Sequence, residues 1–158
     1  MRVLLWSLIA AFALLGAPAS AQDKSADANM QVLRDRLKGD KKTLVATNMQ
    51  LTDAEAKAFW PIYDAYQNDL KKINDRFRNA ILEYAKAYNA GPVSNVAAEK
   101  FVDEAIAIDD AEAKLLRVYA ADLTKAIPVT KAARYLQIES KIRAAIRYEM
   151  AAAIPLIS

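Results

Sequence analysis

Between Phe59 and Ala87 apolar residues recur at alternating steps of four and three: Phe59, Tyr63, Tyr66, Leu70, Ile73, Phe77, Ala80, Tyr84 and Ala87. Two apolar positions in every seven form the seam of a long helix that packs on other helices. The chain announces where that helix starts. Thr52 is a cap residue, Glu55 follows three positions later, and together they spell a capping box behind the apolar Leu51. Gly91-Pro92 predicts the stop, after about Asn89. Pro61 falls inside the pattern. It removes one backbone hydrogen bond and crowds the preceding turn, so a kink is expected near Lys57–Trp60.

A second helix of this kind is predicted after Ser94 and should end near Ala126, ahead of Ile127-Pro128. Its stripe is Phe101, Ala105, Ile108, Leu115, Tyr119 and Leu123. Another is expected from a Thr130 cap to about Ala153, with Tyr135, Ile138, Ile142, Ile146, Met150 and Ile154 on one face. A short helix is expected over 30–38, closed by Gly39, and residues 39–51 read as a linker. No useful stretch alternates apolar and polar residues, so no strands are predicted. The expected architecture is all-α: an elongated bundle of three long helices plus a short N-terminal helix, with the longest helix kinked at Pro61. A continuous helix from 52 to 89 would be roughly 55 Å long, longer than a compact globule of this size. Homodimerisation is the simplest way to cover its apolar faces.

The first residues follow a different pattern. Arg2 precedes an uncharged apolar run from Val3 to Gly16, and Ala19-Ser20-Ala21 supplies the small residues that a signal peptidase accepts. Residues 1–21 therefore read as a cleavable secretory signal, with the mature chain starting at Gln22. No Cys follows the run, so the signal is not of the lipoprotein kind. Pro18 and its small neighbours weaken its last turn as a membrane anchor. No later segment is apolar enough to span a bilayer, so no stable membrane span is expected after cleavage. Residues 22–29 are polar and small and read as a flexible N-terminus, and 30–158 as a single helical domain.

Composition narrows the chemistry. The chain has 22 Lys and Arg against 19 Asp and Glu, a net charge of +3. Export and this near balance argue against nucleic acid as a partner. Cys and His are both absent. The fold has no disulfide, no thiol nucleophile, no usual neutral-pH acid–base group and no standard ligand for zinc, copper or nickel. No Gly-rich elbow or phosphate-cradling loop is visible. The expectation is a protein that is not an enzyme and carries no cofactor.

Charge is distributed unevenly along the helices. Residues 94–124 hold seven acidic and three basic residues, and 131–158 hold five basic and two acidic. Antiparallel pairing of these two segments is modestly favoured. Asp109, Asp110 and Glu112 form a carboxylate cluster, and Glu99 and Asp103 lie one turn apart. Such groups can hold a hard cation weakly, but the more ordinary reading is a solvated acidic face. Arg143 and Arg147, one turn apart beside Lys141, can meet an anionic partner or a lipid head group; the stronger expectation is salt bridging to the acidic helix. Of the aromatics on the longest helix, Trp60 lies beside the seam and is the best candidate for a partner contact.

Leu51-Thr52-Asp53-Ala54-Glu55 is similar to the LTxxQ signature of Spy/CpxP-like periplasmic proteins. Val129-Thr130-Lys131-Ala132-Ala133 is a looser echo of it. Glu55 and Ala133 stand where that signature has Gln. The resemblance implies a periplasmic location, an elongated helical body and a cradle-shaped antiparallel dimer. It also implies work as an ATP-independent chaperone or envelope-stress adaptor on unfolded or envelope proteins. Metal-binding relatives use His, which has no counterpart here. Residue by residue, the likeness marks Leu51, Thr52, Val129 and Thr130. Their expected role is structural, each Thr capping a helix behind an apolar staple. The alternatives are a carboxylate sensor built on Asp109, Asp110 and Glu112, and a structural envelope protein that docks a specific partner through Trp60 or the tail Ile154-Pro155-Leu156-Ile157.

Overall fold

The computed structural model describes residues 41–157. The expected signal peptide, flexible N-terminus and 30–38 helix lie outside the described residues. Within them the chain is all-helical: α1 (Lys41–Met49), α2 (Asp53–Asn89), α3 (Asn95–Ala126) and α4 (Val129–Ala153). None of these helices is long and apolar enough to cross a membrane.

α1 corrects the linker expected at 39–51. Its sequence hides it: Thr43, Val45 and Thr47 are stiff, β-branched residues, and an isolated helix of nine residues is marginal in water. Packing supplies what local preference lacks. Val45 and Met49, one turn apart, are both fully buried. Gln50 then takes a positive φ of 48° to turn the chain into α2.

α2 begins as its sequence requires. The Thr52 hydroxyl accepts from the Glu55 N–H, and the Glu55 carboxylate accepts from the Thr52 N–H at 2.8 Å. Leu51 packs against the core behind this cap. Pro61 lies inside the helix and is exposed. α2 closes at Ala90, and Gly91 takes φ 131°, a backbone geometry that side chains strain to adopt. The Ser94 hydroxyl then accepts from the Ala97 N–H to open α3.

The start of α4 departs from expectation. Its N-cap is Pro128, and no side chain caps it; the Pro128 carbonyl accepts from the N–H groups of Lys131 and Ala132. Thr130 is exposed within the first turn, and Val129 is 64% exposed. The apolar residue that fixes the turn is Ile127, which is buried. Pro128, with φ −50°, lets the chain enter the helix two residues earlier than a Thr130 cap allows. Thr130 and Val129 are therefore not a cap and staple.

Partner residues give the helix directions. α2 and α3 meet through Asp69 with Tyr119, Arg76 with Glu104 and Glu83 with Lys100, so they run antiparallel. α4 pairs Lys131 with Glu55 and Glu139 with Gln67, and just past its end the Pro155 carbonyl accepts from Tyr84, so α4 runs parallel to α2. The core gathers at one end. Phe59, Tyr63, Tyr66 and Leu70 of α2 bury against Val45, Met49, Leu123, Ile127, Ala132 and Tyr135. The Phe59 and Tyr135 rings meet edge to face with centroids 5.1 Å apart. Beyond Leu70 the seam is only half covered: Ile73, Phe77, Ala80, Tyr84 and Ala87 are all partly exposed.

Candidate functional site

The one buried charge among the described residues is Glu139, on α4. An ionised carboxylate away from water needs partners, and it has them. Lys41 donates to Oε2 at 2.9 Å, and the Gln67 amide donates to Oε1 at 3.0 Å. Lys41 also donates to Gln67 Oε1 at 2.9 Å, and Gln67 donates to the Tyr135 oxygen at 3.2 Å. This closed polar network ties α1, α2 and α4 together. Burial is the main reason the Tyr135 hydroxyl titrates far above its ordinary range, reinforced by the Glu139 charge. Tyr66 is pushed up to about 12, again mainly by burial and then by Glu139.

One turn further along α4 the charges alternate with apolar groups. The Arg143 Nε lies 3.3 Å from Glu112, and its Nη2 donates to the Tyr66 hydroxyl at 3.4 Å. Arg147 Nη2 donates to Glu112 at 3.0 Å and to Asp109. The hydrogen bond that Arg147 donates to Asp109 is the largest influence raising its pKa above the ordinary value. Between these groups lies a cleft of about 280 Å³. Leu70, Phe77, Ile108, Ile142 and Ile146 give it apolar walls. Lys41, Gln67, Asn74, Glu112, Glu139, Arg143 and Arg147 supply its polar side.

The structure thus brings Arg143 and Arg147 together with two of the three clustered carboxylates, Asp109 and Glu112, in the interhelical bridging that charge patterning favours. Asp110 is exposed and bridges neither arginine among the described residues. Among the described residues no group of three or more Asp and Glu is placed to hold a metal ion. Trp60 does not line the cleft. It is half-buried, with the Phe59 and Tyr63 rings at 5.0 and 5.2 Å and the Lys42 ammonium 5.1 Å above it. α1 therefore covers part of the surface that the sequence offers as a partner contact. Leu51, Thr52 and Glu55 lie at the α2 start, where Lys131 of α4 also reaches the Glu55 carboxylate and the Gln50 carbonyl.

No family model matches the chain, and no curated protein or solved structure matches it significantly.

Sequence reading passed over Glu139, Lys41, Gln67 and Asn74. Glu139 did leave a signal. It lies one turn after Tyr135 and one before Ile142, a lone carboxylate among apolar residues of one helix face. A charge in that position is either misplaced or paired. Gln67 and Asn74 flank Leu70 on the same side of α2, where only the third dimension shows what they face.

Proposed function

We propose that this chain is an exported, periplasmic helical protein that holds unfolded or envelope proteins without ATP, as a chaperone or envelope-stress adaptor. The carrying observation is apolar surface left uncovered and interleaved with charge. Leu82 on α2, Val102, Ile106 and Val118 on α3, and Ile146 and Tyr148 on α4 are each about half exposed or more. Val102 and Ile106 lie one turn apart beside Glu99, Asp103 and Asp110. Apolar patches rimmed by charge suit weak, reversible contact with unfolded chains.

The reading also takes the molecule as an elongated bundle of three long helices, bent at Pro61 and paired as a homodimer. Pairing would cover part of this surface and leave a shared face for clients. In this reading the protein acts by binding and not as an enzyme. Leu51 to Glu55 supports the likeness to LTxxQ proteins, and the expected signal at residues 1–21 supports the location.

The decisive experiment is light scattering from a denatured client. Suppressed aggregation at a several-fold molar excess of this protein is expected; no suppression overturns the reading. Sedimentation tests the dimer, and N-terminal sequencing of exported protein tests the start at Gln22.

A further inference from the structure

We propose that the cleft between α2, α3 and α4 binds a single-chain amphiphile with a carboxylate head, of the medium-chain fatty acid class. The cleft is asymmetric along the helices. At one end Lys41, Arg143 and Arg147 are balanced by Glu112, Glu139 and the Arg147 partner Asp109, so a head group there is held by free donors and not by net charge. Lys41 is spent on Glu139 and Gln67. The two guanidinium groups are not. Arg147 makes both its contacts through Nη2, and its Nε and Nη1 bond to nothing among the described residues. Arg143 uses Nε and Nη2, both at 3.3 Å or longer. The Asn74 amide, on the same lining, also makes no hydrogen bond among the described residues. Two planar forks with unused donors beside an amide suit a carboxylate, which accepts two parallel N–H bonds.

The other end is apolar. Phe77 and Ile108 are shared with a second hollow of about 120 Å³, walled by Ala80, Ile81, Tyr84, Phe101, Ala105 and Ile154. The two hollows therefore adjoin along the half-covered part of the α2 seam. From Asn74 to Tyr84 the helix rises about 15 Å at 1.5 Å per residue, the reach of a medium-length alkyl chain. Beyond Asn74 on α2, the side chains along these hollows are apolar. Head and tail are thus matched to opposite ends of the adjoining hollows, the arrangement that orients an amphiphile.

Calorimetric titration of the mature protein with dodecanoate, below its micelle concentration, tests this. Acetate and an uncharged dodecyl glycoside serve as head-only and tail-only probes. Saturable binding of one dodecanoate per chain is expected, with acetate silent and the glycoside weaker. Arg147→Gln, at a half-exposed position, should weaken dodecanoate binding about tenfold and leave the glycoside unchanged. Ala105→Phe, also at an exposed position, should abolish binding of both by filling the tail end. Far-UV circular dichroism checks that both variants stay folded. No saturable binding overturns the proposal, as does equal affinity for the glycoside. Binding that survives Ala105→Phe also overturns it, because the chain then lies elsewhere, such as between two copies. None of these outcomes depends on whether the protein holds unfolded clients.

Discussion

Lys41 Nζ lies 2.9 Å from Glu139 Oε2 across 98 residues of sequence, and this contact ties α1 to α4. The Glu139 side chain is nearly sealed from solvent, while the Lys41 side chain keeps a quarter of its surface in water. Removing the acid alone leaves the Lys41 charge and the Gln67 amide facing a hole. Glu139→Ala should therefore cost about 3 kcal/mol, measured by urea unfolding. A buried ion pair replaced whole is often neutral, so Lys41→Met with Glu139→Leu should recover most of that loss. If the double variant is as unstable as the single, the network stabilises through its hydrogen bonds to Gln67 and Tyr135 and not through the ion pair.

The two threonines that sequence equates should behave differently. Thr52 closes a capping box, whereas Thr130 caps nothing. Thr52→Ala should cost about 1 kcal/mol, and Thr130→Ala should stay within about 0.5 kcal/mol of the parent. Paired urea titrations of the two variants check this. Equal losses would mean that α4 starts at Thr130 in solution.

The contrast between those threonines shows how far local pattern reaches. Thr52 and Ser94 cap where sequence places them because their partners lie three residues away in the same chain segment. Thr130 fails because Ile127 and Pro128 compete for the same role, and burial of Ile127 decides the outcome. α1 escapes notice for a related reason: nothing local favours a helix at Lys41–Met49, and Val45 and Met49 earn their place only against Phe59, Tyr63 and Tyr135. Arg143 and Arg147 are visible as a pair from their spacing. The cleft beside them is not, because Asn74, Ile108 and Ile142 come from three helices and nothing in a linear pattern brings them to one wall.

The heptad seam of α2 divides into a buried and a half-covered part, and stability should follow that division. Phe59 is fully buried in the aromatic cluster. Phe59→Ala should cost about 3–5 kcal/mol through lost burial and an unfilled cavity. Leu82, 60% exposed, lies beyond the core, and Leu82→Ala should change stability by less than about 0.5 kcal/mol. Chemical denaturation of both variants gives the comparison. A large loss at Leu82 would place that face in an interface and favour dimer pairing there.

Stability should fall at both ends of the pH scale, through different groups. Lys131 and the Thr52 N–H hold the Glu55 carboxyl below its ordinary 4.5, Lys72 and Tyr119 do the same for Asp69, and Arg76 for Glu104. A depressed folded pKa means the unfolded chain takes up protons first as pH drops. These contributions are complete above about pH 4.5 and vanish as the pH falls through the folded values. Tyr66 has the opposite sign. Burial raises its pKa from 10.0 to about 12, so the unfolded chain loses its proton first, and stability is lost as pH rises through 10 toward 12. Thermal melts followed by circular dichroism should show a plateau across neutral pH with both flanks falling. Tyr66→Phe should lower the plateau, because Arg143 loses a hydrogen-bond acceptor, yet flatten the alkaline flank. An alkaline flank unchanged in Tyr66→Phe would assign it to Tyr135 or Tyr119, whose hydroxyls are also raised.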